Sequence, residues 1–285
     1  MLINQWGGVK MIFEQAFMSL PEFLTGTPFQ RYQFEGTIVT AFSMAVLQEL
    51  NSRNVPNPVS ILRAEVDYPI DDRKRADLHI DLRKLNLFND DLQSYGFYEN
   101  NWLEAKFCRL SKSGKVVTAT LTSTFLMLKD LIRLCSLVPD NQLQGDHSKS
   151  GRYLLHAYQG DPSQYFNYNR NQNKSRAERE WIKPLIESGR QTIKINDLRL
   201  ETTQEFKKCV GKRAGRINME ATVTNFVHIP REYNDGVYHI VLTRIEDFQI
   251  FSGKRSFGRK NGKIFESGNG YGLLGPKIVN RILTD

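Results

Sequence analysis

The chain predicts an α/β (α+β) fold, a central mixed β-sheet flanked by helices. Two patterns carry that prediction. Apolar residues recur at three- and four-residue intervals over one long stretch, which marks a helix. Two later stretches alternate apolar and polar residues strictly, which marks half-buried strands. The order helix, meandering strands, helix, strand suits one sheet with helices against it.

Residues 11–27 start with a mildly apolar helical pattern, interrupted by Pro28. From Gln33 to Asn51 the pattern strengthens through Ile38, Val39, Phe42, Ala45, Val46 and Leu50. Asn51, Asn54, Pro56, Asn57 and Pro58 end it. Ser60 to Tyr68 reads as a strand, and Ile70 to Arg75 as a polar turn. Asp77 opens the next strand, to Leu82, with Leu78, Ile80 and Leu82 on one face and Asp77, His79 and Asp81 on the other. Asn86 to Asn101 has no clear periodicity. Trp102 to Cys108 is a third strand, with Leu103, Ala105 and Phe107 opposite Trp102, Glu104, Lys106 and Cys108.

Ser111 to Lys115 has the composition of a hairpin turn, Val116 to Thr124 is β-rich, and Phe125 to Val138 is helical. Arg152 to Tyr158 is a candidate central strand, and Val237 to Ile250 has strand character. Gly253 to Gly272 reads as a loop. The polar stretch Asn167 to Arg179 is a boundary candidate. Residues 1–165 therefore read as a core and 166–285 as a basic C-terminal region that binds nucleic acid or completes the core.

The 285 residues suffice for a large domain, and 40% hydrophobic with 25% charged content is ordinary for a globular chain. No apolar run approaches the roughly 18 residues of a membrane span. Met1 to Lys10 lacks a charged region followed by an apolar core, so no secretory signal is expected. Cys108, Cys135 and Cys209 are too few and too scattered for a disulfide framework or a zinc site. A cytoplasmic protein without membrane contact is the expectation.

Net charge is +8, and its distribution is informative. Lys207, Lys208, Lys212, Arg213 and Arg216 form a stretch without acids, and so do Lys254, Arg255, Arg259, Lys260 and Lys263. Such concentrations suit phosphate contacts, because each neutralised phosphate releases counterions. The plain alternative is two solvated basic loops. Gly211-Lys212-Arg213-Ala214-Gly215 lacks the spacing of a nucleotide-binding loop. Tyr165, Phe166, Tyr168 and Trp181 offer base stacking, though core packing is the commoner role of such residues. His147, His156, His228 and His239 show no metal-ligand spacing.

Asp77, Glu104 and Lys106 carry the chemistry. If their strands pair, all three side chains converge at one sheet edge. Mg²⁺ is commonly held by one or two carboxylates plus substrate phosphate, and the Ala105 carbonyl is a further ligand candidate. A bound cation acidifies water and stabilises charge on a phosphate. Lys106 would stand beside the attacking water. The bland reading is a surface salt bridge on an exposed face. The apolar neighbours Trp102, Leu103 and Phe107 favour the site, since charges in buried strands are costly without a role. His79 shares the face of Asp77 and reads as structural rather than as a base.

On Asp77, Glu104 and Lys106, over roughly residues 30–160, the chain resembles the PD-(D/E)XK nuclease superfamily. The resemblance implies a restriction-endonuclease-like core and Mg²⁺-dependent hydrolysis of DNA, less often RNA, with Mn²⁺ able to substitute. It also implies a metal-site glutamate from the preceding helix, where Glu35 matches loosely and Glu49 competes. Ala76 stands where the family often has proline, and Asp71 and Asp72 are alternative acids that look like turn residues. The implied function is a type II restriction enzyme, a homodimer by the two-fold symmetry of its target, or a prokaryotic defence nuclease switched by a partner protein. The competing function is a non-catalytic nucleic-acid-binding subunit that keeps the fold.

Overall fold

The computed structural model describes residues 12–25, 34–69, 71–81, 98, 100–110, 114, 118–138, 150–167, 181–195, 218–233, 236–252, 255–260 and 263–267. Among them the helices are α1 (Ile12–Thr25), α2 (Phe34–Ser52), α3 (Thr118–Leu137), α4 (Ser163–Asn167) and α5 (Lys183–Ile186). The strands are β1 (Leu62–Tyr68), β2 (Asp71–Asp81), β3 (Asn100–Cys108), β4 (Gly151–Gln159), β5 (Gly189–Ile195), β6 (Asn218–Val227), β7 (Arg231–Tyr233), β8 (Gly236–Ser252), β9 (Arg255–Lys260) and β10 (Lys263–Ser267). All ten strands belong to one mixed sheet, so the α+β class holds.

The sheet order is β1-β2-β3-β4-β8-β6-β5, with β7 and β9 on β8 and β10 on β9. Strands β3 and β4 run parallel, with α3 between them in sequence, and the other pairs are antiparallel. β3 and β4 are buried along almost their whole length, as strands covered on both faces must be. Leu103, Ala105 and Phe107 pack into one apolar cluster with Phe13 and Phe17 of α1 and Phe42 and Val46 of α2. Trp102 and Cys108 pack into the other, with Leu128, Leu131 and Leu134 of α3. The alternation read from the sequence thus sorts β3 between two layers. β4 pairs with β8, so strands on both sides of residue 165 share the sheet.

Several local expectations change. Of the polar turn expected over Ile70 to Arg75, Asp71 to Arg75 is strand, and Ile70 lies outside the described residues. Tyr68 pairs with Asp71, which leaves only Pro69 and Ile70 between β1 and β2. Asp77 therefore lies within β2 rather than opening it, and Asp71 and Asp72 are strand residues. The β-rich stretch 116–124 is helical from Thr118 onwards. β-branched residues each lose only about 0.7 kcal/mol or less in a helix, whereas each apolar side chain that α3 buries contributes roughly 1.5–3 kcal/mol. Of the expected hairpin turn Ser111 to Lys115 only Gly114 lies within the described residues, between β3 and α3 in sequence; its φ of 73° is one that glycine adopts without a steric penalty. The expected loop from Gly253 contains the β9–β10 hairpin, anchored by Phe257 against Phe248 with ring centroids 5.8 Å apart.

Candidate functional site

The site forms where two strands part. β2 and β3 pair from Asp81 with Asn100 to Leu78 with Leu103, and the ladder ends there. β2 stays with β1 beyond that point, through Val66 with Ala76 and Asp67 with Arg75. The Ala105 N–H, past the end of the ladder, donates to Asp77 Oδ2 at 2.5 Å. One carboxylate oxygen thus takes the role of a missing strand, satisfying a backbone donor in a partly buried place. The geometry brings Asp77 next to the Glu104–Lys106 segment.

Glu104 is buried, and Tyr68 Oη donates to its Oε1 at 2.7 Å. Tyr68 stacks on Trp102 with centroids 5.2 Å apart, which fixes the hydroxyl over β3. Lys106 Nζ reaches both oxygens of Glu35 at 3.3 Å, from the first turn of α2. The same ammonium lies 3.2 Å from Asp130 Oδ2, on α3. Asp130 Oδ1 accepts from Arg133 at 3.0 Å. Glu49, the competing helix acid, pairs instead with Arg53, just past the end of α2.

Electrostatics at this corner is dominated by acids. Burial lifts the Asp77 carboxyl to about 6, opposed by the Ala105 N–H and Lys106 and reinforced by Glu35 and Asp130. Glu104 is pushed well above the ordinary carboxyl range, first by burial and then by Asp130 and Asp77. Asp130 is raised by burial despite Lys106 and Arg133. Burial alone would lower the Lys106 ammonium, but Asp130 and Glu35 outweigh it and hold the side chain protonated. Asp77, Glu104, Asp130 and Glu35 together outnumber Lys106 and Arg133.

A hard divalent cation suits this donor chemistry. Asp77 and Glu104 repel one another in a partly dry place, and a cation would relieve that repulsion. Among the described residues no three His, Cys, Asp or Glu side chains form a ready-made cage. Mg²⁺ does not require one, since it keeps several waters and takes substrate oxygens. Glu35 is committed to Lys106 here, so it would have to change partner to serve as a ligand.

Sequence reasoning missed Asp130, Arg133 and Tyr68. Asp130 carried a usable signal, a lone acid among Leu128, Leu131 and Ile132 on a helix face. Tyr68 and Arg133 carried none.

The basic residues divide. Lys207, Lys208, Lys212, Arg213, Arg216 and Lys254 lie outside the described residues. Arg255 and Lys263 lie in β9 and β10, and Lys260 is exposed. Arg259 corrects the expectation of a surface phosphate contact. It is buried, with its guanidinium donating to the carbonyls of Ser150 at 3.1 Å and Ile245 at 2.6 Å. A buried arginine needs such acceptors, and these anchor β9 to the sheet.

Among the described residues His79 and His156 are buried, and His228 and His239 are half-buried. His79 is buried against Trp102, with centroids 4.0 Å apart. Tyr158 Oη lies 3.0 Å from His156 Nδ1, and His156 Nε2 lies 2.9 Å from Thr243 Oγ1. Thr243 donates to Asn225 at 2.8 Å, and Asn225 donates to the carbonyls of Pro184 and Glu187. This neutral chain ties β4, β8, β6 and α5 together. Tyr165 and Trp181 are buried, which makes them packing residues rather than stacking platforms. Tyr168 lies outside the described residues.

No helix among the described residues is long and apolar enough to cross a membrane. No family model, no curated protein and no solved structure matches this chain.

Proposed function

We propose that the chain is a Mg²⁺-dependent nuclease that hydrolyses DNA phosphodiester bonds at the corner where β2 leaves β3. The observation that carries this reading is the opposed pair Asp77 and Glu104, beside a lysine held protonated by two further acids. Carboxylates kept close at an electrostatic cost suit a cation better than they suit stability.

Asp77, Glu104 and the Ala105 carbonyl would hold the ion, with Glu35 as a further ligand. When bound, the ion supplies charge neutralisation on the scissile phosphate and a more acidic water. Asp77 is oriented by the Ala105 N–H and Glu104 by the Tyr68 hydroxyl. Lys106 donates hydrogen bonds toward the attacking water or a phosphate oxygen, where its fixed positive charge opposes the charge developing in the transition state. Exposed Lys260, together with the basic stretch 207–216, suits phosphate contacts along the substrate.

Two variants test the reading. Glu104→Gln and Lys106→Met should each abolish Mg²⁺-dependent cleavage of plasmid DNA while the fold is kept. Discrete fragments would indicate a sequence-specific restriction enzyme, for which a homodimer is expected. A smear would indicate a defence nuclease with little sequence preference. The alternative, a non-catalytic nucleic-acid-binding subunit, draws on the engagement of Lys106 by Glu35 and Asp130. Salt-dependent binding with no cleavage of DNA or RNA in Mg²⁺ or Mn²⁺ would establish it.

A further inference from the structure

We infer that Asp130 is a positioning residue that anchors the Lys106 ammonium independently of Glu35, so that Glu35 can exchange between lysine and a divalent cation. The inference rests on the nuclease reading for its purpose but not for its geometry. Lys106 Nζ sits between Glu35 at 3.3 Å and Asp130 at 3.2 Å. The two partners differ in kind. Glu35 is on the first turn of α2, and its side chain is 44% exposed; that of Asp130 is 5% exposed.

Exposure decides what each contact can do. Water competes for an exposed pair, which contributes little and exchanges readily. A buried pair cannot be broken without stranding a charge away from water, so it persists. Asp130 is placed for persistence. It is buried on α3, whose Met127, Leu128, Leu131 and Ile132 belong to the apolar core, and α3 packs on β3. Arg133, three residues along the same helix, holds its other oxygen at 3.0 Å. That second contact fixes the carboxylate, and Oδ2 faces the Lys106 ammonium as an ion pair at 3.2 Å.

The consequence concerns Glu35. With Lys106 held from below by Asp130, withdrawal of Glu35 does not release the ammonium. A carboxylate that starts on the lysine can turn to a cation while the lysine stays in place. Without Asp130, the same withdrawal would free a long flexible side chain at the moment its position matters. The corner therefore contains one fixed acid and one exchangeable acid on a single ammonium.

The test labels the full-length protein with limiting acetic anhydride, without nucleic acid, and reads Lys106 occupancy by mass spectrometry with and without Mg²⁺. Wild-type Lys106 should label slowly in both conditions. Glu35→Gln should raise the rate less than about fivefold, as for loss of an exposed pair. Asp130→Asn should raise it about tenfold or more, as for loss of a buried one. Asp130→Glu should retain the protection, and Asp130→Ser, which also removes the charge, takes the place of Asp130→Asn if that variant fails to fold. In cleavage assays Asp130→Asn should lower kcat about tenfold with KM within about twofold, the split expected when a group acts only through the transition state. Equal labelling of wild type and Asp130→Asn, or release of Lys106 by Glu35→Gln alone, would overturn the inference. If the wild type cleaves nothing in Mg²⁺ or Mn²⁺, the nuclease reading fails and the labelling result still decides the anchoring role.

Discussion

Asp77 accepts the Ala105 N–H at 2.5 Å, beyond the point where β2 and β3 stop pairing. This contact holds the two strands together at the mouth of the corner while leaving their backbones apart. It also brings a carboxylate into a half-buried position where its charge is unfavourable.

That position has a measurable pH signature. The Asp77 carboxyl ionises near 3.8 in an unconstrained chain and near 6 in the fold. The folded state therefore binds this proton more tightly. Its contribution to stability is fully present below about pH 4, falls as pH rises to about 6, and is absent above. Asp77→Asn should stabilise the cation-free protein at pH 8 by about 1–2 kcal/mol and much less at pH 4. Urea denaturation in EDTA at both pH values checks this; equal effects at the two would show that the carboxyl is not perturbed.

Lys106 should be costly to lose, and the loss should be repairable. Lys106→Met leaves Asp130 with Arg133 in place of two cations, which should cost about 1.5–3 kcal/mol, the range for a hydrogen bond to a charged group. Adding Asp130→Asn removes the carboxylate charge that Lys106 faced and should recover part of the loss. A double-mutant cycle by chemical denaturation measures the coupling. Additive effects would mean that the two side chains do not interact.

Histidine 156 should stay neutral in mild acid. Burial lowers its imidazole to about 3 in the fold, against 6.5 in an unconstrained chain. Its contribution to stability is lost progressively as pH falls below about 6.5. Its imidazole proton resonances should not move between pH 8 and 5. A titration midpoint near 6.5 would mean that the chain from Tyr158 to Asn225 is not formed as described.

Arg259 and Lys260 are neighbours with opposite expected roles. Arg259→Ala removes two hydrogen bonds from a charged donor and should destabilise the fold by about 2–4 kcal/mol. Lys260→Ala should leave stability nearly unchanged. If Lys260 contacts a phosphate, its loss should reduce the slope of log affinity against log salt by about 0.9 on duplex DNA. Binding isotherms at several salt concentrations, with a melting curve for each variant, separate the two. An unchanged slope for Lys260→Ala would assign it to solvent.

The sequence by itself determined the faces of β3. Side chains alternate on any strand, so Glu104 and Lys106 had to share a side opposite Leu103 and Ala105, whatever surrounded them. It also determined α2, because a long apolar stripe at helical spacing has few other solutions. Only the tertiary structure decided what faces Lys106. The helix that carries Asp130 begins inside a stretch with β-branched composition, and packing on the sheet overrode that local preference. The parting of β2 from β3 was equally hidden, since neither strand's own pattern says where pairing stops. Arg259 gives the same lesson in reverse. A run of basic residues looks uniform in sequence, but the hairpin register turned one of them inward to meet two carbonyls. Local periodicity is a property of the backbone, whereas the partner of a charge depends on which distant element happens to pack over it.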